Sequence, residues 1–258
     1  MKNRITYLIN ILKVFLLFIT LFITITTISS VSYSIAYKLY GIFRIFDPDN
    51  SFLLITFHHI LLAIAALIII LLISKVLKIE LKDFGFNKNG FCFSMKKILL
   101  FCGIWTIIQF AGSVYLIKTT STPVNFPFPL SVKNFLGYFL FEILLTGTSE
   151  EILFRALVIP LMLYNLEFIK SEKKSNIFAV IAATFIFMLA HINFNLNPFE
   201  ITYINPLQQI TSLITGIFFG YLFIKTKSIL GPMIAHNAIN GVITIIGLIM
   251  FFVFGYIS

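Results

Sequence analysis

Seven stretches of this chain are apolar for long enough to cross a bilayer, and nothing else in the sequence restricts the fold as much. A helix rises 1.5 Å per residue and the hydrocarbon core is about 30 Å thick, so a crossing needs about 20 apolar residues. The runs lie at about 14–37, 51–74, 98–117, 134–164, 176–192, 207–224 and 229–255. A backbone in lipid must satisfy its own hydrogen bonds, so each run reads as a helix and the fold class as an all-α, polytopic membrane protein. The fourth run is too long for one simple crossing and is expected to tilt, break or project into the cytoplasm. The fifth is short unless its polar start counts. Division of the last run would give eight transmembrane helices instead of seven.

Composition and charge agree with that class. The chain is 59% hydrophobic and only 11% charged, where a soluble domain carries about 25% charged residues. With seven spans and a cytoplasmic N-terminus, 14 of the 19 cations fall in cytoplasmic segments. Lys38, Arg44, Lys118 and Lys133 fall outside, and Arg155 lies within a span. This asymmetry is the positive-inside rule and sets the N-terminus in the cytoplasm and the C-terminus outside. It also weighs against nucleic acid as a partner, because the lysines gather at membrane edges and not along one soluble face. The expected surroundings are a lipid bilayer, specifically a bacterial plasma membrane. The basic start and the small residues Ser34 to Ala36 imitate a secretory signal. The apolar run between them exceeds the roughly 7–15 residues of a signal core, so it reads as a retained anchor. Cys92 and Cys102 read as packing thiols.

The chain forms one continuous membrane domain. The longest polar break, Lys75 to Lys97, contains "IELKDFGF", which fits a short amphipathic piece on the cytoplasmic surface or a plain loop equally well. The proline-rich "STPVNFPFPL" (Ser121 to Leu130) and the Asn- and Pro-rich "HINFNLNPFEITYINP" (His191 to Pro206) read as outer loops.

Three acids, Glu142, Glu150 and Glu151, and one arginine, Arg155, fall well inside the fourth span. A charge at mid-bilayer costs about 2.5–3.5 kcal/mol on the insertion scale, so these groups must face protein or a wet cavity. Glu151 and Arg155 are four residues apart with the acid first, the favourable orientation for an ion pair. Glu150 points about 100° away around the helix. One acid is thus neutralised while its neighbour faces something else. Helix-gluing alone would account for the pair but not for the spare acid.

Of the four histidines, His58 and His59 have no evident partner and read as packing residues. His191 ends the fifth span, with Phe187 on the same face one turn earlier, and His236 shares a face with Asn240 in the last span. These residues could converge with Glu150 if spans four, five and seven surround one cavity. Simple depths disagree: about 22 Å for Glu150, about 24 Å for His191 and about 10 Å for His236. They agree if the fourth and fifth helices protrude into the cytoplasm by about two turns.

Three segments then stand out as motifs. "EEILFR" (Glu150 to Arg155) is similar to an EExxxR motif, "FMLAH" (Phe187 to His191) to FxxxH, and "HNAIN" (His236 to Asn240) to HxxxN. In this order, each in or at the edge of a span, they resemble the CPBP family, the CAAX protease and bacteriocin-processing (Abi) proteins. Ala156 departs from the glycine common after the arginine. The resemblance covers about residues 131–245 and implies an intramembrane endopeptidase related to the Ras-converting CAAX enzyme. Residues 131–258 would then be the catalytic helices, and 1–130 the N-terminal helices and loops. By matching positions, Glu150 would be the catalytic carboxylate and His191 its partner. His236 and Asn240 would complete the site, with Glu151, Arg155 and Phe187 in support.

These residue types suit peptide hydrolysis. A buried carboxylate can serve as general base toward water, and imidazole and amide groups can stabilise an oxyanion. Because Arg155 would hold a carboxylate ionised, it should sit closer to Glu151 than to Glu150. No cofactor is expected. The alternative is zinc on Glu150, His191 and His236, although no H-E-x-x-H pair is present. The expected partner is a membrane-associated protein or peptide substrate, CAAX-type or bacteriocin-like. Two other functions fit the composition: a non-proteolytic bacteriocin-immunity protein, and a transporter relaying protons through Glu142, Glu150 and the histidines. No inverted repeat supports the transporter.

Overall fold

The computed structural model of the protein describes residues 2–120, 125–196 and 199–255, with the side chains of 2–4, 196 and 199 left aside. Seven long helices account for most of it. They are α1 (Lys2–Phe43), α2 (Leu53–Leu77), α3 (Phe91–Thr120), α4 (132–165), α5 (Glu172–Leu189), α6 (Pro206–Thr226) and α7 (Leu230–Phe254). Five of them, α1, α2, α3, α6 and α7, are long and apolar enough to cross a membrane by length and composition. α4 is the overlong fourth run, interrupted by two π-helical stretches, and α5 opens on the charged Glu172, Lys173 and Lys174. α7 is continuous, so the last run is not divided and no eighth span arises from it. The 42 residues of α1 reach about 63 Å, twice the hydrocarbon thickness, so part of it must stand outside the bilayer.

The helix ends follow from residues visible in the sequence. Ser131 and Ser171 accept hydrogen bonds from the backbone N–H of Asn134 and Lys174, starting α4 and α5. Asn205 does the same for Leu207 and Gln208, with Pro206 as the first residue of α6. At the other ends, Lys78 and Lys227 take left-handed conformations that stop α2 and α6, and both place a cation at the negative helix pole. The start of α2 is held by Asp47. Its carboxylate is buried and accepts from the N–H groups of Ser51, Phe52 and Leu53 and from the Ser51 hydroxyl.

α4 is the hub. It packs against α1, α2, α5, α6 and α7, while α3 lies along α7 and α6. From Glu151 to Ile159 every residue is buried. Ile152, Leu153, Leu157 and Ile159 meet Leu21 and Ile25 of α1, Ala66 and Ile70 of α2, and Ala183 and Ile186 of α5 in one core. On the outside, Leu8, Ile42, Ile68, Leu99 and Ile107 are exposed, as a lipid-facing surface requires.

Two expected loops have more structure than the sequence indicates. "IELKDFGF" is a short structured piece and not a plain loop. It makes one 3-10 turn, Leu81–Phe84, whose Phe84 is fully buried. The segment is tied to the α6–α7 turn, since the Ile229 N–H donates to the Gly85 carbonyl at 2.9 Å and Ser228 Oγ to the Asn87 carbonyl at 2.6 Å. Gly85 has φ +91°, and a Cβ there would strike Phe223, so the approach needs glycine. The outer segment after His191 forms an antiparallel hairpin, β1 (Asn193–Leu196) with β2 (Phe199–Tyr203). Asn197 and Pro198 lie outside the described residues, as do 121–124 of the proline-rich loop, whose remainder up to Leu130 is non-helical as expected.

Candidate active site

The site begins with the irregular backbone of α4. π-helical turns at Glu142–Thr146 and Ile152–Leu157 flank a short α-helical piece, Gly147–Glu151, that carries both acids. Such turns widen a helix locally and are frequent at functional sites. At Gly147 helix α7 passes so close that a Cβ would lie 2.5 Å from His236 Cβ and 2.7 Å from Asn237 Oδ1. The Gly147 N–H donates to Asn237 Oδ1 at 2.8 Å, and Asn237 Nδ2 donates to Thr148 Oγ1 at 3.2 Å. Asn237 thus pins α7 to α4, with His236 and Asn240 on either side of it.

Glu151 and Arg155 are both fully buried and form the expected ion pair, Nη1 to Oε1 at 2.9 Å. Arg155 also donates through Nη2 to the Gly216 carbonyl at 3.3 Å and lies over the rings of Phe187 and Phe219. Glu151 does more than the sequence reading assigns to it. The same Oε1 accepts from His236 Nδ1 at 2.8 Å. A carboxylate only accepts, so the His236 proton at this bond sits on Nδ1, and Nε2 turns toward Glu150 Oε2 at 3.8 Å. His236 is further held by stacking on Phe219.

Glu150 is the freer acid. Its Oε2 is buried and makes no hydrogen bond among the described residues. His191 bonds the Phe187 carbonyl through Nδ1 at 2.7 Å. A carbonyl also only accepts, which leaves Nε2 of the neutral ring with the lone pair. Phe187 packs against His191, His236 and Phe154, so it fixes both imidazoles at once.

Glu150, His191, His236 and Asn240 all line one cavity of about 470 Å³, together with Glu142, Gln109, Tyr138 and Phe187. The structure therefore brings the four residues of the three motifs together. Their meeting requires α4 and α5 to extend past the start of α7, the stagger that the unequal depths demand. A second cavity of about 830 Å³ lies on the α1–α2 side, and Glu150 and His191 border it too.

Several residues escaped sequence reasoning. His59 does have a partner, since its Nδ1 meets Ser149 Oγ at 2.6 Å, and with His58 it borders the larger cavity. Adjacent histidines in a span were the signal, but the partner is 90 positions away. Asn237 and Phe219 carried no signal of their own. Asn240 is engaged by Glu142, with Nδ2 to Oε2 at 2.9 Å. As for zinc, two Nε2 lone pairs and the Glu150 carboxylate are donor types that it takes. Among the described residues no group of three or more His, Cys, Asp or Glu is placed to share one ion.

Fold and site together define a class: a polytopic helical membrane protein whose interior cavity is walled by a carboxylate, two imidazoles and an amide. Residues 132–242 match the family model described as type II CAAX prenyl endopeptidase Rce1-like. That segment contains every site residue from Glu142 to Asn240, and through it the chain is similar to the CAAX protease (CPBP) family. No curated protein and no solved structure matches the chain.

Proposed function

We propose that the protein is an intramembrane endopeptidase that hydrolyses a peptide bond of a membrane-associated protein or peptide, with Glu150 as general base. The supporting observation is the contrast between neighbours. Glu151 is bound by Arg155 and His236, whereas Glu150 Oε2 is buried at the border of both cavities with no hydrogen bond among the described residues. Glu150 takes one proton from water while His191 Nε2 accepts the hydrogen bond of the other. The water oxygen bonds to the carbonyl carbon, and the carbonyl electron pair moves onto its oxygen. The oxyanion is received by the Asn240 amide and by His236 when protonated at Nε2. The C–N bond then breaks, and the proton held by Glu150 passes to the leaving nitrogen. The steps are written with the protein's own groups alone, which supply the base, the oxyanion donors and the proton for the leaving nitrogen.

On this reading residues 131–258 are the catalytic helices and 1–130 the N-terminal ones. The substrate is CAAX-type or bacteriocin-like, and the location is a bacterial plasma membrane with the lysine-rich ends in the cytoplasm. The test uses purified protein in lipid nanodiscs and a panel of lipidated, quenched-fluorescent peptides, with and without a prenyl group. Glu150→Gln should lower the cleavage rate by about 10²–10⁴-fold, the usual worth of a general base, with unchanged elution and helicity. Chelator treatment should leave the wild-type rate intact. A Glu150→Gln protein that still cleaves, or a wild type that confers bacteriocin immunity while cleaving nothing, would overturn the proposal.

A further inference from the structure

Glu142 is a largely buried acid on the cavity wall that the proposed chemistry does not use. Its Oε2 accepts from Asn240 Nδ2 at 2.9 Å and from Thr146 Oγ1 at 3.0 Å. Two donors converging on one oxygen is an arrangement that suits an acceptor-only carboxylate. An amide has a donating end and an accepting end. Facing such a carboxylate, Asn240 must present its nitrogen, and the amide is barred from flipping. The contact is also rigid. α7 runs against α4 there so closely that a Cβ on Gly241 would come 2.8 Å from Ile143.

We propose that Glu142 is a positioning residue: it locks the Asn240 amide in one orientation, with one N–H spent on the carboxylate and the second left for the oxyanion in the cavity. The assignment rests on the endopeptidase reading above. Pure helix glue is the competing explanation. Glue would act on folding and on all substrate contacts, whereas orientation of one amide acts on the transition state through Asn240 alone.

The test is a kinetic double-mutant cycle in nanodiscs with one cleaved lipidated peptide. Glu142→Leu should lower kcat by about 10–100-fold with KM within about 3-fold of wild type. Glu142→Gln can still accept but can also flip, so it should lose only about 3–10-fold. In the Asn240→Ala background either change should cost less than about 3-fold, because the group it orients is gone. If Glu142→Leu does not fold, the same cycle is read from Glu142→Gln. Losses that multiply across the cycle, or a rise in KM at unchanged kcat, would overturn the positioning role while leaving the protease standing. A wild type that cleaves no peptide would remove both.

Discussion

Glu150 and Glu151 are sequence neighbours in opposite circumstances, and the difference comes from what reaches each across α4. Removing one partner of a buried ion pair leaves an uncompensated charge, typically at about 3–5 kcal/mol, so Arg155 and Glu151 are tied to one another. At the membrane edge a second acid is held differently. Burial pushes the Asp47 carboxyl up, but the Leu53 N–H, the Ser51 hydroxyl and the N–H groups of Phe52 and Ser51 outweigh that, and the group is held below the ordinary aspartate value. A depressed carboxylate contributes stability that is complete above the unfolded value, about 3.9, and is lost as pH falls through the folded one. The melting temperature should therefore drop on acidification below about pH 4 more in wild type than in Asp47→Asn, and equal slopes would contradict the role. The ion pair of Glu151 with Arg155 is legible from four-residue spacing alone, as is the spare Glu150. The bonds from His59 to Ser149 and from Asn240 to Glu142 are not, because each joins helices about 90 positions or more apart and periodicity carries no information about which faces meet.

Among the elements, α4 departs furthest from a regular helix. Its π turns are invisible in the hydrophobic pattern, which reads 134–164 merely as a span that is too long. The same holds for the α5–α6 connection, where turn-forming Asn and Pro suggest a loop and a two-stranded hairpin forms instead. The crossing of α4 and α7 makes a direct prediction at Gly147. Overpacking costs typically about 1–3 kcal/mol, so Gly147→Ala should lower the melting temperature and, by displacing His236, the cleavage rate. At Gly103 and Gly112 in α3 an added Cβ would meet nothing within 4 Å. Alanine at those two positions should be neutral or stabilising by up to about 1 kcal/mol, as in any open helix interior. A Gly147→Ala protein as stable as these controls would show that the two helices can part without cost.

For the whole molecule, the class and the motif residues come from local sequence, while the cavities come from packing. Orientation is a question of charge distribution. Cys92 is exposed at the start of α3, close in sequence to Lys88, Lys96 and Lys97, whereas Cys102 is half-buried further along the same helix. In a Cys102→Ser background, a membrane-impermeant maleimide should label Cys92 in inside-out vesicles and not in intact cells. Labelling from the outer face would invert the topology.

The pairing of Arg155 with Glu151 inside one helix has a consequence for how the chain is made. Both charges leave the ribosome within about one turn of each other, before α6 and α7 are synthesised. Arg155 can therefore meet its counter-ion at once, whereas Gly216 and His236, which complete the buried cluster, arrive only with the later helices.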